Sequence, residues 1–501
     1  MLFNSYLFLL LFLPLLLCSV RIAAGFGPRA IGLLLLSFSC AFYAVWGLPF
    51  LALLGLTVMM NYGFALALAS RNGNAAPPGR GRLSGGALLC AALLCNVLPL
   101  LWFKYSDFLV RNIAALLHVS WDFQAPGLPP GISFCTFIQI AWLVGIYRRQ
   151  IAPEGLARHA LFSCFFPYVL SGPIVRYEQM GGQLDAMRGV SSGGLARGLG
   201  LFSMGLAKKT LVADSIAPYA DMVFNAAAGG GPLGGGDAWL GSFCYSFQLY
   251  FDFSGYTDMA LGLALMLGLR LPENFNSPYK ATGIIDFWHR WHITLSSWLR
   301  DFLYIPLGGN RAGRIRQYRN LFLTMLVGGI WHGAGWTFML WGALHGGMLA
   351  VNHFFRTRIR ETRLERFRRT PLVTVLSTAL TFLCVNACWV VFRADSLEAA
   401  GRVLQAMLVR PFFEPAASGT ASAFLLNDCF QDWRSLALLA VCAVLVWAFP
   451  SSHGIFRGRR DGDRPWLSFS PSPAWATGLA FLAFASLLFV SRESGFLYFQ
   501  F

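Results

Sequence analysis

Charge is what this chain has least of. Of its 501 residues 12% are Asp, Glu, Lys or Arg while 56% are hydrophobic, and the mean hydropathy is +0.56. Soluble globular domains carry about 25% charged residues, so a water-exposed surface of ordinary size is excluded. Apolar runs approaching the roughly 20 residues that cross a hydrocarbon core recur from one end to the other. No separable soluble part is left over, and a single integral-membrane domain over 1–501 is expected. Other absences narrow the chemistry. The 11 cysteines are scattered, and the closest pair, Cys384 and Cys388, has no histidine or carboxylate at metal-ligand spacing, which argues against a disulfide framework or a zinc site. There is no P-loop, G-x-G-x-x-G, G-x-S-x-G or H-E-x-x-H, so nothing here fits an ordinary nucleotide enzyme or hydrolase, and no metal is expected. No internal repeat is evident, so the inverted-repeat signature of many secondary transporters is missing. The first apolar run, NSYLFLLLFLPLLLCSV, lacks a basic n-region and a cleavage pattern and is read as a retained span.

What charge there is has a sign, +16 net. The arginines and lysines sit in short loops between apolar runs, which fits positive-inside topology in lipid and not a nucleic-acid partner. Predicted spans lie at about 5–20, 30–47, 49–69, 86–103 and 132–147. Arg21 and Arg29 follow the first, Arg71, Arg80 and Arg82 the third, and Arg148, Arg149 and Arg158 the fifth. Towards the C-terminus, spans at about 372–393, 435–450 and 473–490 are separated with the same parity by the basic stretches 356–369 and 456–464. The expectation is a multi-pass protein with both termini facing the outside, or periplasm. In the middle, 160–175, 197–218, 238–268 and 284–306 are apolar but interrupted by Pro, Gly, Lys208, Lys209, Asp252, Asp258, Asp286, Arg290 and Arg300. Irregular backbone and charge at membrane depth survive only where protein or a water-filled cavity surrounds them, so the functional chamber is expected here.

The stretch GGIWHGAGW, 328–336, sets His332 in otherwise lipid-like sequence. It lies in an apolar run from Asn320 to Phe355 with arginines at both ends, which implies one pass in and one back out. Twelve residues past Asn320, at about 1.5 Å each, His332 is roughly 18 Å deep. An ionised ring there costs on the order of a few kcal/mol, so the neutral imidazole, a competent general base, is the expected form. The glycines at 328, 329, 333 and 335 leave room for another helix or for a substrate. The plainer alternative is a buried histidine bonded to a neighbouring carbonyl. His345, on the returning limb, is a rival; His118, His159, His353 and His453 fall at loops or span ends.

Upstream, DFWHRWHITLSSWLRDFLYIPLGGNR (286–311) interleaves histidine, arginine and tryptophan. Read as a helix, His289 and His292 share a face, as do Arg290 and Thr294. The segment suits an interfacial anchor, or a cytoplasmic approach offering arginines to phosphates.

Together with QLYFDFSGYTDMALGLALMLGLRLPENFNSPYKA (248–281) and GGIWHGAGWTFMLWGALHG (328–346), this segment resembles the membrane-bound O-acyltransferases, in the bacterial branch of the alginate O-acetylation membrane protein. Further matches are GISFCTFIQIAWLVGIYR (131–148), FFPYVLSGPIVRY (165–177), GLAKKTLVAD (205–214), VFRADSL (391–397) and the terminal FLYFQF. The resemblance implies an all-α polytopic membrane protein of roughly 11–13 transmembrane or re-entrant helices around a central tunnel. Its catalytic core would be about 130–355, followed by C-terminal spans in 356–501. It implies acetyl transfer from a cytoplasmic thioester, acetyl-CoA, with no bound cofactor. The acetyl group would go on to a periplasmic SGNH-type acetyltransferase that modifies an exopolysaccharide such as alginate. The family's two histidines fall on His332 and His292. His332 would be the base or a transient nucleophile; His292, with Trp331, Trp336 or a main-chain N–H, would orient substrate or stabilise the oxyanion. Arg290, Arg300 and Arg311 are candidates for the phosphates of coenzyme A, and Tyr256, Asp258 and Asn274 for the chamber wall. Two alternatives stay open: the same chemistry on cellulose or another glycan, and an exporter with His332 as proton relay.

Overall fold

The computed structural model describes residues 1–72, 84–311, 313–360, 370–410, 432–456, 465–490 and 496–497. Among the described residues the secondary structure is helical, without strands. Arg80, Arg82, the basic stretches 361–369 and 457–464 and the last four residues of FLYFQF lie outside them. The chain divides into two compact units, 1–202 with 257–272, and 203–256 with 273–501.

Four helices among the described residues are long and apolar enough to cross a membrane: Leu7–Phe26, Leu48–Arg71, Gly85–Leu117 and Pro371–Arg393. Shorter apolar helices are Pro28–Ala44, Ile132–Tyr147, Trp433–Trp447 and Pro473–Phe489. These follow the predicted spans closely, with one extension. The helix expected to end near 103 runs on to Leu117, through a π-helical turn at Leu101–Tyr105 just after Pro99, which cannot donate the regular backbone bond. The outward faces of the first unit's helices carry Leu10, Leu15, Ile22, Leu33 and Leu56, all more than half exposed. In water such a surface would be an aggregation site; against lipid it is the ordinary outer face.

Inside the first unit, Phe3, Phe8, Phe12, Phe42 and Phe166 form one cluster with ring centres 5.1–6.3 Å apart. Asn61 and Asn96 there bond each other reciprocally at 2.9 and 2.7 Å. His159 is a correction: it is not solvated at a span end but buried, with its ring stacked 3.7 Å from Trp142.

The second unit contains a helical hairpin, Arg314–His332 followed by Trp336–Arg360, which is the expected fold-back. It also corrects the middle of the chain. The region 238–268 is not broken at its acids: one helix runs from Gly235 to Met266 through Asp252 and Asp258. Asp252 is tolerated because Lys209 pairs with it at 2.7 Å and with Asp214 at 2.8 Å, all three being buried. Lys209 lies in an irregular turn, Lys208–Ala213, after which the Asp214 N–H donates to the Lys209 carbonyl. That five-residue spacing brings Lys209 and Asp214 onto one side, where a regular α-helix would turn them apart. The Leu497 N–H donates to the other Asp252 oxygen at 3.0 Å, and the Phe496 ring lies 4.9 Å from the Lys209 ammonium.

Candidate active site

The segment 284–304 is broken as expected, but the break changes which side chains share a face. Helix Ile284–Arg290 stops, and Ile293–Leu299 starts after a corner at His292, whose φ of +43° and ψ of +53° are left-handed. His289 and His292 therefore sit on different helices, contrary to the single-helix reading. A left-handed non-glycine residue is strained by about 1–3 kcal/mol and persists only where its surroundings hold it. Those surroundings are the irregular stretch 274–276. The Asn276 N–H donates to the Arg290 carbonyl at 2.9 Å, and the Ile293 N–H to the Asn274 carbonyl at 3.0 Å. The Asn274 side-chain oxygen accepts from the Thr294 N–H at 3.2 Å and from the Thr294 hydroxyl at 2.9 Å, and lies 3.1 Å from His292 Nδ1.

His332 ends the first limb of the hairpin, and Gly333 continues in extended backbone. The sequence left two tenants for the glycine space, and the structure chooses the helix. A Cβ on Gly329 would lie 2.3 Å from the Phe338 carbonyl oxygen, and one on Gly333 would lie 2.1 Å from the Phe338 ring. His332 is 5% exposed. Its ring is surrounded by Trp331, Trp341 and Phe392 at 4.9, 5.1 and 5.4 Å between centres. The His292 ring stands 6.5 Å from the His332 ring and edge-on to Phe253 at 4.8 Å. At that separation the imidazoles do not bond each other directly. Trp341, Phe392, Phe253 and Trp389, which stacks on Trp341 at 5.7 Å, were not singled out in the sequence. Trp341 and His345, four apart on one helix face, are the part of this enclosure that spacing could have found.

The rival His345 is fully buried behind Trp341, with ring centres 4.7 Å apart. Trp288 Nε1 donates to its Nδ1 at 3.3 Å, which engages the nitrogen lone pair a base would need.

A cavity of about 460 Å³ adjoins this region, lined by Trp288, His289, Ser296, Arg300, Tyr304, Met325 and His353 among others. Neither His292 nor His332 lines it. Met325 does, two helical turns before His332 and on the same face. Of the expected arginines, Arg300 lines the cavity and bonds Asp301 at 2.7 Å; Arg290 instead pairs with Asp286 at 2.8 Å, and Arg311 is exposed. Trp331 touches the His332 ring, whereas Trp336 is 54% exposed. Tyr256 is buried edge-on to Phe496 at 4.8 Å, and the buried Asp258 belongs to the first unit.

A buried imidazole pair inside aromatic walls, beside a mainly apolar cavity, is equipped to take a proton from a hydroxyl away from bulk water. The comparisons name the class. Residues 143–388 match the MBOAT, membrane-bound O-acyltransferase family, a span that includes Asn274, His292, Arg300 and His332. A probable alginate O-acetylase of Azotobacter vinelandii is 40% identical, covering 81% of this chain and 78% of its own. A probable alginate O-acetylase of Pseudomonas putida is 38% identical over the full length of both chains, and a peptidoglycan O-acetyltransferase of Helicobacter pylori is 36% identical over 100% of this chain and 98% of its own. The chain belongs to the membrane-bound O-acyltransferase family. It is a membrane O-acyltransferase, which sets aside the exporter reading.

Proposed function

We propose that this protein moves acetyl groups from acetyl-CoA, on the cytoplasmic side of a bacterial inner membrane, toward O-acetylation of an extracytoplasmic glycan such as alginate. The observation that carries the reading is the His292–His332 pair, 6.5 Å between ring centres in a buried aromatic enclosure. His332 is the general base for the acceptor hydroxyl. The cavity of about 460 Å³ suits the thioester arm of the donor, with Arg300 at the coenzyme phosphates. The alternating arginine loops support a multi-pass topology with both termini periplasmic. A periplasmic SGNH-type acetyltransferase then completes the modification. The full-length likeness to a peptidoglycan O-acetyltransferase supports a second acceptor, a wall glycan, and cellulose or another exopolysaccharide fits the same chemistry.

The test is His332→Ala in the producing strain, with the acetyl content of exopolysaccharide and wall glycan measured side by side. Loss from one polymer, with the protein still in the membrane, identifies the acceptor; persistence in both refutes the base assignment. Purified wild-type protein given labelled acetyl-CoA should release CoA when the periplasmic acceptor is supplied, and the variant should not.

A further inference from the structure

Three donors and acceptors around Asn274 fix a proton. The Thr294 N–H can only donate, and it points at the Asn274 side-chain atom 3.2 Å away. That atom is therefore the amide oxygen, not its nitrogen, and the orientation of the amide is not free. The same oxygen lies 3.1 Å from His292 Nδ1. An amide oxygen carries no hydrogen, so in this contact the imidazole must donate. In a neutral ring Nδ1 then bears the hydrogen and Nε2 the lone pair.

We propose that Asn274 is a positioning residue that holds His292 in its Nδ1–H tautomer, so that His292 presents Nε2 as a hydrogen-bond acceptor. This rests on the acyl-transfer reading of the His292–His332 pair and narrows it. Of the two roles the sequence allows His292, orienting a substrate hydroxyl is kept and donating to an oxyanion is removed. Donors to the oxyanion must come from elsewhere, such as a main-chain N–H.

The choice of amide over carboxylate supports the role. An aspartate at 274 would accept from Thr294 and His292 equally well, and would not carry the amide NH₂, which has no hydrogen-bond partner among the described residues. Burying an unpaired donor is destabilising. A carboxylate, however, would pair with imidazolium, which donates at both nitrogens and has no lone pair left to accept with. The amide secures the tautomer without adding a charge. The left-handed corner at His292 serves the same end, because it turns the ring out of the helical path and onto Asn274.

Nitrogen NMR of full-length protein in lipid, labelled with ¹⁵N-histidine, reads the tautomer directly. His292 is assigned by difference against His292→Gln. In the wild type, Nδ1 should carry the hydrogen and Nε2 should give a bare, pyridine-type signal; the reverse pattern overturns the proposal without any substitution at 274. Asn274→Leu should mix the tautomers and lower kcat about 10–100-fold, as loss of a partner that orients a functional histidine does, with the KM for acetyl-CoA changed less than about twofold. Asn274→Asp, which keeps the acceptor but adds a charge, should leave Nδ1 protonated while the bare Nε2 signal gives way to a second N–H signal. An unchanged spectrum or kcat in Asn274→Leu overturns the proposal, as does a rise in KM alone. If His292→Gln itself transfers acetyl at the wild-type rate, the reading of the histidine pair fails; if it is inactive while Asn274→Leu behaves as wild type, only the role of Asn274 fails.

Discussion

Gly329→Ala places one methyl group between the limbs of the hairpin, three residues before His332. Its Cβ would lie 2.3 Å from the Phe338 carbonyl oxygen, 2.9 Å from Gly342 Cα and 3.0 Å from Gly342 N. A carbon and a carbonyl oxygen rest at about 3.3–3.6 Å, so the limbs must part by about 1 Å, and because all three atoms are backbone no rotamer relieves the clash. Overpacking of this kind is destabilising by about 1–3 kcal/mol, against a helix-propensity gain of about 1 kcal/mol for replacing glycine. Gly347→Ala on the facing limb is the control, since its Cβ meets nothing within 4 Å and the propensity gain acts alone. The two variants should therefore differ by about 1–3 kcal/mol, Gly347→Ala melting at or above the wild type and Gly329→Ala below it. Activity should separate them further. A displacement of about 1 Å carried to His332 lowers turnover on the order of 100-fold. The assays are thermal unfolding in detergent and acetyl transfer in proteoliposomes. Wild-type turnover in Gly329→Ala, or equal damage from Gly347→Ala, would refute the claim that close backbone contact positions His332.

Lys209→Met leaves two carboxylates facing each other without their cation, and breaking a buried pair from one side is destabilising by about 3–5 kcal/mol. Little folded protein should survive extraction, and Lys209→Met with Asp252→Asn should recover part of it; a fully stable single variant would show that the cluster is not structural. Arg300→Ala should raise the KM for acetyl-CoA by about 3–10-fold and leave kcat unchanged, a modest figure because the side chain is 61% exposed and already bonded to Asp301. Loss of kcat with constant KM would move Arg300 from donor binding to chemistry.

The periodic and the local were legible in the chain. Apolar length placed Leu48–Arg71, Ile132–Tyr147 and Pro371–Arg393, and the arginines on either side of 320–355 required a fold-back that the hairpin supplies. Depth singled out His332 because few other residues in that run would need explaining. What sets its surroundings was not legible, for a reason particular to membranes. A hydropathy pattern scores Leu10, which faces outward, and Val385, which is fully buried, alike, since lipid and protein interior are both apolar. Trp341, Trp389 and Phe392 were therefore indistinguishable from lipid-facing aromatics. The placing of the break at His292 escaped for the opposite reason: the bonds that hold it come from outside the segment, from Asn274 and Asn276.

The tenant of the glycine space is a different case, because the sequence contains enough to decide it once the turn is placed. In an antiparallel hairpin a residue some distance before the turn meets one about as far after it. The turn at Gly333–Gly335 is centred on 334, and Phe322 and Gly346, twelve residues to either side, do meet, with a Cβ on Gly346 lying 2.8 Å from Phe322 Cα. Gly329, five before the centre, meets Phe338 and Gly342, four and eight after it. Gly329 on one limb and Gly342 on the other meet backbone to backbone, which is the use small residues have where two helices touch. The open surroundings inferred for His332 thus belong to its own hairpin.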